Sequence, residues 1–350
     1  MISIFLSDII LVILALVALV VASYTDFKKR EVANWISFSL LVVALVIRGI
    51  VAIAFATNFL TTIVSFLLVL LFLLGFFVYL KNSKPYLEYI LGIVFIGLWY
   101  LFDQYLFFMN DYLISCFLAF GIFVLITSLM YYGKMSGGAD VKILLALAVV
   151  FSTNPVFFNH SYGLFVPIFG SSTPNIFLFD FFVNSLIVGL IFGVLFSLFM
   201  VFKNKKAFSL KFKKLFRKYL VFEIIFAILG ITFLIFSIFH RFLIVFGVFF
   251  LIVPVLIVFV SSVQESSMKS YKSWKELTEG DWLVSDVKIG KRIIKSSADG
   301  LTKKDILLIK KSGKKVLVLD GMPFVPVFLI SLIVSLIFGN LLFLLLKVLI

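Results

Sequence analysis

The chain is poor in what a soluble fold needs. Charged residues make up 14% of its 350 positions and hydrophobic ones 63%, where soluble domains average roughly 45–50% apolar. No soluble protein of this length could hide that much apolar surface, whereas lipid can accept it. There is one cysteine, Cys116, inside an apolar run. That excludes an internal disulfide and a cysteine-based zinc site, and Cys116 reads as a small buried hydrophobe. The two histidines, His160 and His240, have no convincing partners for a Ser-His-Asp or zinc site and read as interfacial polar residues. No metal and no cofactor is expected. Acids are the scarcer charge, 17 against 31 Lys and Arg. In a soluble protein that excess would raise nucleic acid as a partner. In so apolar a chain it bears on orientation instead, and no nucleic acid partner is expected.

What is present is apolar runs of bilayer length, with a mean hydropathy of +1.23. A span needs about 20 apolar residues. Ten segments qualify, at about 4–24, 35–56, 59–80, 86–108, 112–132, 140–158, 177–202, 219–239, 242–262 and 324–346. The second and third are separated only by Thr57 and Asn58 and read as a tight hairpin. The sixth is short and partly polar. The first run, Ile9 to Ala22, lacks a basic n-region and a small-residue cleavage site, and basic residues follow it, so it reads as a retained span. The expected fold class is an all-α polytopic membrane protein of about ten transmembrane helices.

Placing Lys28, Lys29 and Arg30 in the cytoplasm puts all but three of the 31 Lys and Arg residues on that side, the exceptions being Arg48, Arg241 and Lys347. This asymmetry is the positive-inside pattern. It predicts a multi-pass protein of the cell membrane with both ends outside. Arg48 departs furthest from the span boundaries and reads as a snorkelling side chain.

Two cytoplasmic pieces stand out. Lys203 to Lys218 interleaves lysines with Phe208, Leu210, Phe212, Leu215 and Phe216, which suits a basic segment on anionic lipid headgroups. Residues 263–323 are polar, with turn signals at Glu279-Gly280-Asp281, Asp299-Gly300 and Lys311-Ser312-Gly313. Short β-type runs lie at Trp282–Val287 and Lys315–Leu319, and Thr302 with Asp305 suits a helix start. The expected organisation is 1–160 with the chemistry, 161–262 as further spans with the basic loop 203–218, a small cytoplasmic α+β insert at 263–323, and a last helix in 324–350.

Ionisable residues at span boundaries are functional candidates. On the inner side these are Asp26, Glu31, Glu88, Asp140 and Glu223. Asp26 ends the first span and Asp140 opens the sixth, so both lie at similar depth on one side. Small residues, Gly137, Gly138 and Ala139, precede Asp140 and permit close approach. Two facing carboxyls share one proton. One then activates water while the other polarises a carbonyl and protonates the leaving amine, which hydrolyses a peptide bond with neither metal nor covalent intermediate.

Two motifs carry a resemblance. Asp26, Arg30, Val32, Ala33, Asn34 and Gly137, Gly138, Ala139, Asp140, Val141, Lys142 resemble the paired motifs of the archaeal type IV prepilin peptidases and preflagellin (archaellin) peptidases, GxGD-class membrane aspartyl proteases. Ala33 stands where the family has Pro, and Ala139 where it has Gly. Gly321-Met322-Pro323-Phe324-Val325-Pro326 before the last span, with Gly339-Asn340 within it, resembles the C-terminal region of archaeal members, and reads structurally as a hinge between insert and span. The resemblance implies Asp26 and Asp140 as catalytic residues, with Arg30, Asn34, Gly137, Gly138, Ala139 and Lys142 supporting them. It implies pilin-like or archaellin precursors as substrates, cut after a short basic leader at the cytoplasmic face. Bacterial relatives add N-methylation with a cysteine-rich domain, which this chain lacks, so no methyltransferase activity is expected.

Three other readings compete. An ion- or proton-coupled transporter would want acids or basic partners near mid-membrane. A presenilin-like enzyme would want Tyr-Asp and Pro-Ala-Leu elements, whereas Thr25 precedes Asp26 and no Pro-Ala-Leu occurs. A non-catalytic membrane assembly protein is the third.

Overall fold

A computed structural model describes residues 4–29, 32–56, 59–81, 85–105, 111–133, 136–155, 176–290, 292–297 and 300–349. Its elements divide into two compact units, Met1–Val188 with Pro323–Leu341, and Gly189–Met322 with Leu342–Ile350.

The first unit is helical. The apolar runs become α1 (Ile4–Lys29), α2 (Asn34–Ala54), α3 (Phe59–Lys81), α4 (Pro85–Tyr105), α5 (Asp111–Tyr132) and α6 (Gly138–Val150). The start of α7 (Ile176–Lys203) and the helix α12 (Val325–Phe338) complete it. At its centre lies α6, whose residues Ile143 to Val150 are all buried. It packs against α1, α2 and α5. Beside it Phe72, Phe95, Phe117 and Phe120 form an aromatic cluster with ring centroids about 5 Å apart. Helices α4 and α5 meet at glycines: a Cβ on Gly121 would stand 2.8 Å from the Gly92 carbonyl oxygen. Such small-residue contacts bring backbones together where lipid supplies no hydrophobic drive. Outward-facing side chains stay apolar, with Phe59 81% and Ile93 63% exposed, as a lipid-facing surface requires.

The second unit holds the rest of α7, then α8 (Lys205–Lys218), α9 (Leu220–Phe236) and α10 (Leu243–Ser267). Helices α9 and α10 form a hairpin, again meeting at glycines, Gly230 and Gly247. Helix α8 bends 72° away from α9. Its apolar stripe turns onto α10, with Phe208 5.5 Å from Phe259, Leu215 buried, and Lys211 bonded to Glu265 at 3.1 Å. The Phe and Leu stripe of the basic segment therefore meets mainly protein. Lys205, Lys206, Lys213, Lys214, Arg217 and Lys218 are left exposed with Leu210.

After α10 come β1 (Lys269–Lys272), β2 (Trp282–Leu283), β3 (Val287–Ile289), β4 (Arg292–Ile294), α11 (Lys303–Ser312) and β5 (Val316–Leu319). The sheet runs β1-β5-β2, all antiparallel, with β3 and β4 a separate hairpin. A small core of Leu277, Leu283, Ile294, Leu301, Ile309, Val316 and Val318 closes beneath them. Helix α11 starts at Thr302, whose hydroxyl accepts the Asp305 N–H at 3.3 Å, and stops at Gly313 with φ 64°, the left-handed cap that glycine adopts most easily.

The chain is thus an all-α-spanned polytopic membrane protein. Among the described residues seven helices are long and apolar enough to cross a bilayer, or eight if the bent α8–α9 pair is one span. The difference from ten expected spans has three physical causes. Helix α6 has 13 residues, about 20 Å, and ends before Ser152-Thr153-Asn154-Pro155. Helix α9 has 17. The last segment breaks at Gly339, φ 71°, between α12 and α13 (Leu341–Leu349).

Candidate active site

Asp26 sits in the last turn and a half of α1, where the apolar run gives way to Ser23-Tyr24-Thr25. It is buried, 7% exposed. Its Oδ2 accepts the Val325 N–H at 3.1 Å. Val325 is the first residue of α12, whose own N-cap, Phe324, makes no side-chain cap. Asp26 caps that helix from α1 instead.

Asp140 is the third residue of α6. It too is buried, and its Oδ2 accepts the Gly137 N–H at 3.0 Å and the Ser136 hydroxyl at 3.3 Å. Gly137 is extended, φ −74°, and Ala139 lies within the helix. Neither motif glycine has positive φ, so alanine at the third position brings no backbone strain. The Gly137 side is open enough that a Cβ there would stand 3.4 Å from the Asp140 carboxylate. Gly138 faces Tyr131, at 3.6 Å from a notional Cβ. Because α1 packs on α6, the two carboxyls lie within electrostatic reach of each other.

The supporting residues divide. Lys142 donates to Asn34 Oδ1 at 2.7 Å and lies 5.7 Å from the Phe38 ring centre, so the second motif is tied to the first. Arg30 lies outside the described residues. Ser136 and the Val325 N–H touch the two acids directly and were not among the expected site residues. The serine stood beside the glycines of the motif. The N–H leaves no side-chain signal, although the Gly-Met-Pro-Phe-Val-Pro stretch that carries it reads both as part of the C-terminal resemblance and as a hinge.

Helix α2 also holds the far end of α6. Arg48 is 1% exposed and does not snorkel. Its guanidinium donates to the carbonyls of Val149 (3.0 Å), Val150 (2.6 Å) and Tyr112 (3.2 Å) and to Thr153 Oγ1 (3.0 Å). The Tyr112 ring lies 4.3 Å away, and its hydroxyl bonds Asp8 at 2.7 Å. The Val149 and Val150 carbonyls at the end of α6 thus receive a planar donor fork suited to several acceptors.

A second buried polar cluster lies at the opposite end of α12. Asn184 donates to Ser335 Oγ (2.8 Å) and Gly339 O (2.6 Å) and accepts the Leu341 N–H (2.9 Å), while Asn340 donates to Asp180 (2.8 Å). These bonds satisfy the backbone groups that the helix break releases.

Comparison of the chain with protein families, with curated proteins and with solved structures finds no match. The geometry therefore stands by itself. Two buried carboxyls from distant parts of the chain, on helices that pack together, each accept a backbone N–H at a helix start. Among the described residues no group of three or more His, Cys, Asp or Glu is disposed to hold a metal.

Proposed function

We propose that this protein is an intramembrane aspartyl endopeptidase of the prepilin and preflagellin peptidase type. The observation that supports the reading is that two buried acids, Asp26 and Asp140, 114 positions apart in sequence, lie on helices that pack together. One carboxylate takes a proton from water, whose oxygen attacks the scissile carbonyl. The other, protonated, polarises that carbonyl and delivers its proton to the nitrogen as the C–N bond breaks. Donors at Gly137, Ser136 and Val325 hold the pair in place. The Lys142–Asn34 bond keeps the two motif-bearing segments in register.

The distribution of Lys and Arg supports a multi-pass protein of the cell membrane with this site at the cytoplasmic face. The substrates that suit such a site are pilin-like or archaellin precursors, whose short basic leader stays in the cytoplasm ahead of an apolar helix. The exposed basic side chains of α8 support contact with anionic lipid headgroups.

The test is cleavage of such precursors by the purified protein. Asp26→Asn and Asp140→Asn should each abolish cleavage, by at least ~10³-fold, since neither carboxyl works without the other. Processing by either variant at a comparable rate would defeat the reading. One observation favours a second reading: a buried acid, Asp180, beside a broken helix is an arrangement that transporters use for ions. Asp180→Asn that leaves cleavage intact but abolishes ion flux in proteoliposomes would establish it.

A further inference from the structure

Ser23 lies one helical turn before Asp26 on the buried face of α1, with Leu19, Ala22 and Asp26. It is 9% exposed, and its Oγ has no hydrogen-bond partner. That is unusual in this chain. A hydroxyl on a helix in apolar surroundings ordinarily bonds back to a carbonyl three or four residues earlier. Thr25 does so to Ala22, Ser65 to Thr61, Thr127 to Phe123, Ser185 to Phe181 and Ser262 to Val258. Among the described residues Ser23 carries the one buried hydroxyl oxygen that is not satisfied in this or any other way. A buried polar group left so is unfavourable for the fold, and such groups persist where something else meets them.

We infer that Ser23 binds the main chain of the substrate on the membrane side of the scissile bond, an inference that rests on the aspartyl-peptidase reading. Three residues along a helix are about 4.5 Å of rise, so the Ser23 hydroxyl sits about that much deeper than Asp26. An extended chain advances about 3.3 Å per residue. The hydroxyl therefore falls level with the first or second residue past the cut. Those residues are the start of an apolar helix, and the bond ahead of them is reached only when the helix end unwinds. Unwinding frees N–H and C=O groups at a depth where water is scarce, and each needs a partner there. A serine hydroxyl both donates and accepts, so it serves either group, and it does so without fixing the side chain that follows.

The experiment compares wild type, Ser23→Ala and Ser23→Thr in the full-length protein, by cleavage kinetics on a purified precursor and by thermal midpoint. Loss of one substrate hydrogen bond should lower kcat/KM about three- to tenfold in Ser23→Ala. The midpoint should stay level or rise, because alanine removes a hydroxyl that has no partner in the resting protein. Ser23→Thr, which keeps the hydroxyl, should recover most of the loss. A lowered midpoint in Ser23→Ala would show a structural role and overturn the inference, as would an unchanged kcat/KM. If wild type cleaves, Asp26→Asn does not, and Ser23→Ala matches wild type, only the role of Ser23 falls. If wild type cleaves no precursor, both readings fall.

Discussion

Replacing Arg48 by methionine tests how α6 is held. Methionine keeps the length and apolar stem of the side chain and removes the guanidinium. Three carbonyls, those of Val149, Val150 and Tyr112, then lose a donor within 3.2 Å. Each lost bond to the charged donor is worth about 1.5–3 kcal/mol, which sets a gross loss of about 4–9 kcal/mol, Val149 keeping the Ser152 N–H and Tyr112 the Cys116 thiol as donors. Release of a buried cation offsets part of it, and hydrogen bonds inside membrane proteins average well below the top of that range. A net loss of about 3–5 kcal/mol remains, the size found when one partner of a buried charged network is removed. At roughly 2 °C per kcal/mol for a chain of this length, the midpoint should fall by about 6–10 °C. The measurement is thermal unfolding of the purified protein at fixed detergent and lipid. Arg48→Lys should recover less than half of the loss, since one ammonium cannot reach acceptors spread around a planar fork. Precursor cleavage should drop as well, because the helix that loosens carries Asp140 at its other end. An Arg48→Met midpoint within about 1 °C of wild type would refute the reasoning, because four bonds of this geometry cannot then be holding the helix.

Other outcomes follow from particular contacts. Asp26→Ala and Asp26→Asn should both be inactive, but only alanine removes the acceptor for the Val325 N–H. Its midpoint should therefore lie below that of Asp26→Asn, by about 1 kcal/mol of capping. Lys142→Ala and Asn34→Ala should each slow cleavage several-fold, and the double variant should be no slower than the worse single one, since one bond joins them. Changing Lys205, Lys206, Lys213 and Lys214 together to Gln should weaken capture of phosphatidylglycerol by the detergent-solubilised protein at least tenfold, with no fall in midpoint. An unchanged affinity would remove α8 as a lipid contact. Lys272 joins Asp320 at 2.8 Å and Asp281 at 3.5 Å. Burial alone would lower its pKa, but the Asp320 hydrogen bond and the two negative charges outweigh that and raise it. The raised value makes its stabilisation full below the ordinary lysine range and lost as pH climbs through the folded value. Hydrogen exchange of β1 and β5 should accordingly be slower in wild type than in Lys272→Met at neutral pH, and the gap should close at strongly alkaline pH.

The parts of the fold legible in the sequence are those set by local composition. Apolar runs fixed the position of α1 through α5, and Thr302 with Asp305 marked where α11 begins. What the sequence concealed depends on partners far along the chain. The sixth segment reads as short and partly polar, but the end of its helix at Val150 is set by the polar residues and Pro155 that follow and by Arg48 from α2, which meets its carbonyls. Arg48 itself looked like an isolated charge because its acceptors are backbone atoms, which no side-chain pattern advertises. The same holds at the candidate site. Asp26 and Asp140 announced themselves by chemistry and depth, whereas the Val325 N–H is invisible in a string of letters. The apolar stripe of α8 was legible, but not its occupant: the side of α10 takes Phe208, and Leu215 is buried, leaving Lys205, Lys206, Lys213 and Lys214 outward.

The shortness of α6 bears on how the protein is made. A helix of 13 residues covers about 20 Å of a hydrocarbon layer about 30 Å thick, and it begins with an acid and a lysine within its first turn and a half. Offered to lipid by itself during synthesis, such a segment has no stable transmembrane state. Its residues Ile143 to Val150 are sheathed by protein instead, and α1, α2 and α5, which do the sheathing, are all translated before it. Chain order thus delivers the docking cradle first and the helix bearing Asp140 afterwards, so a circularly permuted gene that started at α6 should yield a protein that fails to insert.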